Sequence, residues 1–317
     1  MLILTLVATI ASGMLWQQNR SLQVEAAERA RAQAGWILTG ALDWARLILR
    51  EDVRGSGAQD KRALDSLDEP WATPLAEARL STFLAVDKDN NADGGPEAFL
   101  SGAIVDAQSR WNLRSLIDGA GKEVAAERLA LDRLCTLANA PVGTAQRIAD
   151  GLRGAWAAAE PDGGAAAVLA PSRLADLAWL GIEPAVLARL APWVDLLPVG
   201  TPVNVNTAPR EALVAAINGL DMGSAERLVQ ARQRKPFASV DDIKAQLPEP
   251  LHKELGRVSV SSSWFLVAGR LRLEDRVLEE RTLLERRGAE VLVVRRERLS
   301  LSAVAGEVAE ALAGRRP

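Results

Sequence analysis

The stretch MLILTLVATIASGMLWQQNRSLQVEAAERARAQAGWILTGALDWARLILRED, residues 1–52, decides the architecture. It contains no proline, and the first proline of the chain is Pro70. Ala27, Ala30, Ala34, Ile37, Ala41, Ala45 and Ile48 recur at three- and four-residue spacing, while Glu25, Glu28, Arg31, Arg46 and Arg50 lie mostly off that stripe. Such a pattern is one amphipathic helix. Running unbroken to about Asp52, it would be about 75 Å long at 1.5 Å per residue. Small residues along the stripe let another helix approach closely.

The first sixteen residues carry no charge, and none appears before Arg20. Trp16, followed by Gln17, Gln18, Asn19 and Arg20, reads as an exit into a membrane interface. The run is slightly short for a span, which takes about 20 residues. A cleaved signal peptide fits poorly, because no basic residue precedes Leu2. The reading is an N-terminal anchor whose start at Met1 is internal to a longer precursor.

Beyond this helix, residues 53–66 are polar and glycine-containing, as in a loop. Residues 99–106, FLSGAIVD, alternate as a strand does. From about Leu116 to Leu255 alanine, leucine and charged residues dominate, and the block reads as helical. β signals return at Val258–Leu273, Val277–Leu284 and Val291–Val294, separated by Glu274-Asp275 and Arg287-Gly288-Ala289, as in an antiparallel meander. The fold class is therefore α+β. A long N-terminal helix packs on a small antiparallel sheet, and a large all-helical domain is inserted. The expected units are 1–52 (long helix), 53–115 (first part of the head), 116–255 (helical insertion), 256–300 (strands completing the sheet) and 301–317 (a frayed tail).

Composition narrows the chemistry. The chain of 317 residues has a net charge of -3, 48% hydrophobic residues, one cysteine and one histidine. The charge gives no general attraction to nucleic acid. Cys135 alone forms no intrachain disulfide and reads as a small core residue. With His252 alone, histidine-based metal sites and nucleophile–histidine catalysis lose their basis, and a membrane-tethered hydrolase is disfavoured.

One loop does carry ligand chemistry. In Asp87-Lys88-Asp89-Asn90-Asn91-Ala92-Asp93-Gly94, side-chain oxygens at alternate positions can converge on one ion. Asp89, Asn91, Asp93 and Gly94 match the first half of an EF-hand-like loop. The twelfth position is Leu100, so the usual glutamate is missing, and Glu97 can offer an oxygen instead. The expected ligands are Asp87, Asp89, Asn91, Asp93 and Glu97, around a structural calcium ion. A solvated Asp/Asn/Gly turn is the alternative.

The helical block holds a helix–hairpin–helix pattern. Thr207-Ala208-Pro209 opens a helix to Ile217, Asn218-Gly219-Leu220-Asp221-Met222-Gly223 makes the hairpin, and Ser224 caps a helix to about Arg234. Ser239-Val240-Asp241-Asp242 opens another in capping-box form. A weaker copy spans Leu129–Leu152, with Pro141-Val142-Gly143 as hairpin and Thr144 as cap. Such units hold DNA phosphates on backbone N–H groups, with Arg227, Arg232, Arg234 and Lys235 as possible supporting charge. This is the alternative function, a membrane-anchored DNA-uptake protein. Against it, Asp221 puts a carboxylate where phosphate would sit.

Several motifs, in order, resemble one family. Ala41-Leu42-Asp43-Trp44-Ala45-Arg46-Leu47-Ile48-Leu49-Arg50-Glu51-Asp52, Leu67-Asp68-Glu69-Pro70-Trp71-Ala72 and Ser101-Gly102 through Asp106-Ala107-Gln108-Ser109-Arg110-Trp111-Asn112-Leu113 are three of them. Val203-Asn204-Val205-Asn206-Thr207-Ala208 and Ser262-Ser263-Trp264-Phe265 follow. Each is weak alone; together they resemble the type II secretion system minor pseudopilins of the protein K family. The resemblance implies a non-catalytic filament subunit at the tip of the periplasmic pseudopilus, promoting its assembly for protein export. It implies single-pass anchoring in the inner membrane with the head in the periplasm. Implied partners are the minor pseudopilins I and J, other pseudopilus subunits and, on a longer precursor, a prepilin peptidase, with no nucleic acid. The family lacks the early glutamate of many pseudopilins, and none occurs here before Gln23. Its members bind calcium, which agrees with the acidic loop without assigning its ligands.

Overall fold

The computed structural model describes residues 2–56, 64–80, 98–158, 169–273 and 276–302. Helix α1 (Leu2–Ser56) is unbroken over 55 residues, about 82 Å at 1.5 Å per residue. Among the described residues no helix is long and apolar enough to cross a membrane. The stripe that α1 buries is Ala34, Leu38, Leu42, Ala45 and Leu49. Ile37, Ala41 and Ile48 flank it, half-buried. The contact line thus lies slightly to one side of the alanine stripe, because leucine fills the space against the sheet better than alanine.

The sheet under α1 has five antiparallel strands in the order β1-β2-β7-β8-β9. These are β1 (Leu75–Arg79), β2 (Ala98–Asp106), β7 (Trp264–Leu273), β8 (Arg276–Arg287) and β9 (Glu290–Ser302). Side chains alternate across a strand, so Leu100, Ile104, Phe265, Val267, Leu271 and Leu284 form the face buried beneath α1. Gly102 pairs with Gly269 on that face. A Cβ on Gly269 would come within 3.2 Å of Leu38 Cδ2, and one on Gly102 within 2.9 Å of the Ala268 carbonyl oxygen. Gly269 thus lets α1 lie close to the sheet, and Gly102 leaves room for the neighbouring strand's backbone.

The chain leaves the sheet at Asp106 and re-enters beside it, since Asp106 pairs with Phe265. The described residues between form a helical block: α2 (Ala125–Leu137), α3 (Thr144–Ala158), α4 (Pro184–Leu190), α5 (Arg210–Ala216), α6 (Met222–Arg234) and α7 (Val240–Lys244). Short 3-10 helices join them. Two parallel two-residue pairings tie its ends. These are β3 (Trp111–Asn112) with β4 (Val194–Asp195), and β5 (Val203–Asn204) with β6 (Val258–Ser259). Val258 therefore pairs inside the block and not in the main sheet, where the β-rich composition had placed it. Cys135 is buried in this block, and burial pushes its thiol up to about 11.

Among the described residues the block contains three helical hairpins, one more than the sequence pattern showed. They join α2 to α3, the 3-10 helix Leu174–Leu180 to α4, and α5 to α6. Each has a residue with positive φ at the turn: Asn139 at 49°, Gly181 at 76° and Gly219 at 82°. An inward apolar residue follows in each, namely Ala140, Ile182 and Leu220. In the first two, the amides of Ala140 and Ile182 donate back to the carbonyls of Cys135 and Leu177, which closes the helix end as a Schellman turn. The middle hairpin escapes the sequence pattern because its first helix is 3-10 and eclipses the usual 3.6-residue period.

Candidate interaction site and its polar junction

Exposure marks the first candidate site. No described side chain between residues 2 and 33 of α1 is buried. Further along, Trp36 is 77% exposed and Trp44 is 55% exposed. They lie eight residues apart on one helix face with Gly40 between them, and a Cβ on Gly40 would meet nothing within 4 Å. Beside this face runs a groove of about 560 Å³, walled by α1, by Pro70 to Leu75 and by Leu100 to Ile104. Its lining is predominantly apolar. Two tryptophan ridges with a glycine hollow between them are the shape that accepts a partner's apolar side chains.

Behind the groove lies a buried polar junction. Asp106 ends β2 and is 2% exposed. Its Oδ1 accepts from the Gln108 amide, and its Oδ2 accepts from Asn204 Nδ2 at 3.0 Å, Ser262 Oγ at 2.7 Å and Thr207 Oγ1 at 2.5 Å. Burial pushes this carboxyl up to about 6 against the pull of those bonds. Asn204 Nδ2 also donates to the Asp65 carbonyl at 3.0 Å.

Arg286 on β8 is the cation of the junction. Its Nη1 donates to Asp52 at the end of α1 at 2.9 Å, and its Nη2 donates to Asp65 at 2.5 Å and to the Ser262 carbonyl at 2.8 Å. The guanidinium also stacks 4.7 Å from the Phe265 ring centroid. Trp71 meets Phe265 edge-on at 5.3 Å and donates its indole N–H to Glu69 at 2.6 Å. The carboxylate oxygens of Asp52, Asp65 and Glu69 lie within 4.8 Å of one another, a spacing that could hold a metal ion. Arg286 already supplies the positive charge to the two aspartates.

The scattered motifs of the sequence thus converge. Asp52, Glu69 and Trp71, Asp106, Asn204 and Thr207, and Ser262 with Phe265 all meet within this junction. The other motif residues do related work nearby. Asn206 Oδ1 accepts from the Phe237 amide and its Nδ2 donates to the Phe237 carbonyl; Asn112 accepts from the Leu197 amide and donates to the Val199 carbonyl. An asparagine can do both because its side chain carries a donor and an acceptor. Two partners were not apparent from sequence, Asp65 and Arg286. Each lies in a charged, unremarkable stretch, and only the sheet register brings them together.

The calcium ligands expected from sequence, Asp87, Asp89, Asn91, Asp93 and Glu97, lie outside the described residues. The nucleic-acid reading meets specific obstacles. Asp221, not Ser224, caps α6: its carboxylate accepts from both the amide and the hydroxyl of Ser224. Those bonds hold the Asp221 carboxyl below its ordinary range. A carboxylate of the chain itself therefore occupies the helix N-terminus where a phosphate would dock. The matching hairpin positions hold Pro141, which has no N–H, and Glu183, which is acidic. Arg232 is buried and donates to the carbonyls of Val205 and Ala208. Thr207 gives its hydroxyl to Asp106 and does not cap α5, where Pro209 takes the cap position. Thr144 likewise donates to the Pro141 carbonyl. Only the Ser239–Asp242 capping box matches its expected form.

A long helix packed by its second half on an antiparallel sheet, with no described side chain buried before Ala34, has the architecture of a pilin-like protein. The particular family follows from comparison. Residues 203–261 match the family model "Type II secretion system (T2SS), protein K". A Pseudomonas aeruginosa type II secretion system protein K is 29% identical over 87% of this chain and 83% of its own length. The Pectobacterium carotovorum protein K is 26% identical over 94% of this chain and 93% of its own. Among solved structures, the GspK–GspI–GspJ complex from enterotoxigenic Escherichia coli matches in fold, with a TM-score of 0.59 at 18% identity, over 86% of this chain and 98% of that one. Over most of its length the chain is thus similar to type II secretion system protein K, a minor pseudopilin.

Proposed function

We propose that this chain is a non-catalytic subunit at the tip of a periplasmic pseudopilus, where it promotes assembly of the filament for protein export. One observation carries the reading: α1 packs its second half on its own sheet, while among the described side chains of its first half none is buried. In this reading the first half lies in the inner membrane before assembly and among the helices of other pseudopilus subunits afterwards. A prepilin peptidase is a further proposed partner. The bulky helical block fits a tip, where no further subunit stacks above it.

The minor pseudopilins I and J are the proposed partners, as in the complex whose fold this chain shares. The groove beside Trp36 and Trp44 is their proposed docking place. Co-purification of the full chain with both partners tests this. The double change Trp36→Ala/Trp44→Ala should weaken assembly at least about tenfold, since interface tryptophans commonly carry about 2 kcal/mol or more each. Absence of any ternary complex with the wild-type chain would sink the tip reading.

The acidic loop at 87–97 is proposed to hold a structural calcium ion. Calcium should then raise the melting temperature, and Asp89→Ala should remove the rise. An unchanged melt in the wild type removes the proposal.

A further inference from the structure

Four carboxyl groups and one guanidinium meet where α1, residues 64–72, β2 and β8 come together. Asp52 and Asp65 are bonded to Arg286. Asp106 is held by hydroxyl and amide donors. Of the three that lie closest together, Asp52, Asp65 and Glu69, Glu69 is the one with no described cation bonded to it: its Oε2 accepts from two neutral donors, the Ser66 amide and the Trp71 indole. The charges facing Glu69 are Asp52 from α1 and Asp65 from its own segment, both negative, while Arg286 on β8 faces those two aspartates. A charge on Glu69, half-buried and reached by no described cation, is repelled by the Asp52 and Asp65 carboxylates beside it. A proton on one of the three relieves that repulsion.

We propose that Glu69 holds this proton and that the junction works as a proton-dependent latch, closing residues 64–72 and the last turns of α1 onto the sheet and easing them apart as Glu69 ionises. Burial, the largest influence, pushes the Glu69 carboxyl up to about 7, and the charges of Asp52 and Asp65 push the same way. A carboxyl raised on folding binds its proton more tightly in the folded chain than in the unfolded one. Its stabilising effect is therefore complete below the ordinary glutamate value and is lost as pH rises through about 7.

The latch has a reach beyond itself. Pro70, Trp71, Thr73, Pro74 and Leu75 form a wall of the groove beside α1, and Trp71 is bonded directly to Glu69. Ionisation of Glu69 would shift that wall and tie the shape of the groove to pH. This consequence for docking rests on the reading of the groove given above; the latch itself does not.

Hydrogen–deuterium exchange of the full chain in detergent, corrected for chemical exchange, tests the latch without any partner. Peptides covering the end of α1 and residues 64–72 should lose protection at least about tenfold between about pH 5.5 and about pH 8.5, while the centres of β7 and β8 hold theirs. Glu69→Gln, neutral at every pH, should stay protected throughout. Equal protection of the wild type at both pH values overturns the latch, and so does a Glu69→Gln chain that loses protection as the wild type does. A carboxyl-carbon NMR titration of the wild type needs no variant: a Glu69 midpoint at the ordinary glutamate value also overturns it.

Discussion

The helical block and the α1-covered sheet bury apolar surface in different ways. In the block one continuous core runs from Trp111 to Val258, with Leu113, Leu131, Leu134, Ile148, Leu177 and Leu213 fully enclosed. On the sheet the buried residues fall into smaller groups along α1, around Leu42, Leu49 and Phe265 and around Leu38 and Leu271. A buried leucine is worth about 1.5–3 kcal/mol, so a connected set of that size supports a folded unit by itself. The sheet gains less and carries α1, whose described side chains before Ala34 include none that is buried. The block encloses its apolar residues, while α1 leaves Trp36 and Trp44 exposed. The two regions share one polar junction, and how they differ is best tested there.

The largest effect should come from Arg286→Ala. It removes the cation bonded to Asp65, which is fully buried, and to Asp52. Removing one partner of a buried ion pair typically costs about 3–5 kcal/mol. The loss should fall on the sheet and on residues 64–72, seen as reduced exchange protection there, while the core around Leu131 and Leu213 keeps its protection. Equal loss in both regions would mean that the block depends on the sheet and would break the contrast. The smallest effect should come from Asp221→Ala, inside the block. It removes the cap of α6 and should cost about 1 kcal/mol, read as a small fall in the denaturation midpoint, with no effect on the sheet. If the changed chain bound DNA with salt-dependent affinity, the capping carboxylate would be what blocks a phosphate site. We expect no such binding, because Arg232 stays committed to backbone carbonyls.

Much of this architecture was legible in the sequence where a local period exists. The absence of proline before Pro70 and the three- and four-residue stripe gave α1. The Ser239–Asp242 capping box was read correctly because all its partners lie within four residues. Caps whose side chains have distant partners were misread. Thr207 has the sequence of a cap, yet Asp106, far away in the chain, takes its hydroxyl. Ser224 looked like a cap, but Asp221 reaches its amide first and accepts its hydroxyl as well. The middle hairpin was hidden by a 3-10 helix, and β1 by its shortness and partial exposure.

The sequence by itself determined the long helix, the α+β class, the helical insertion and the motifs that point to the protein K family. These rest on periodicity and on short-range patterns, which any chain displays along its length. Only the tertiary structure decided what the motifs are for. It showed that α1 turns its leucines to a glycine-paired strip of sheet and leaves Trp36 and Trp44 outside. It showed too that Asp52, Asp65, Glu69, Asp106 and Arg286 share one buried junction. The physical reason is the same in both cases. A buried charge needs a partner wherever the fold can supply one, and sequence distance says nothing about which group that will be.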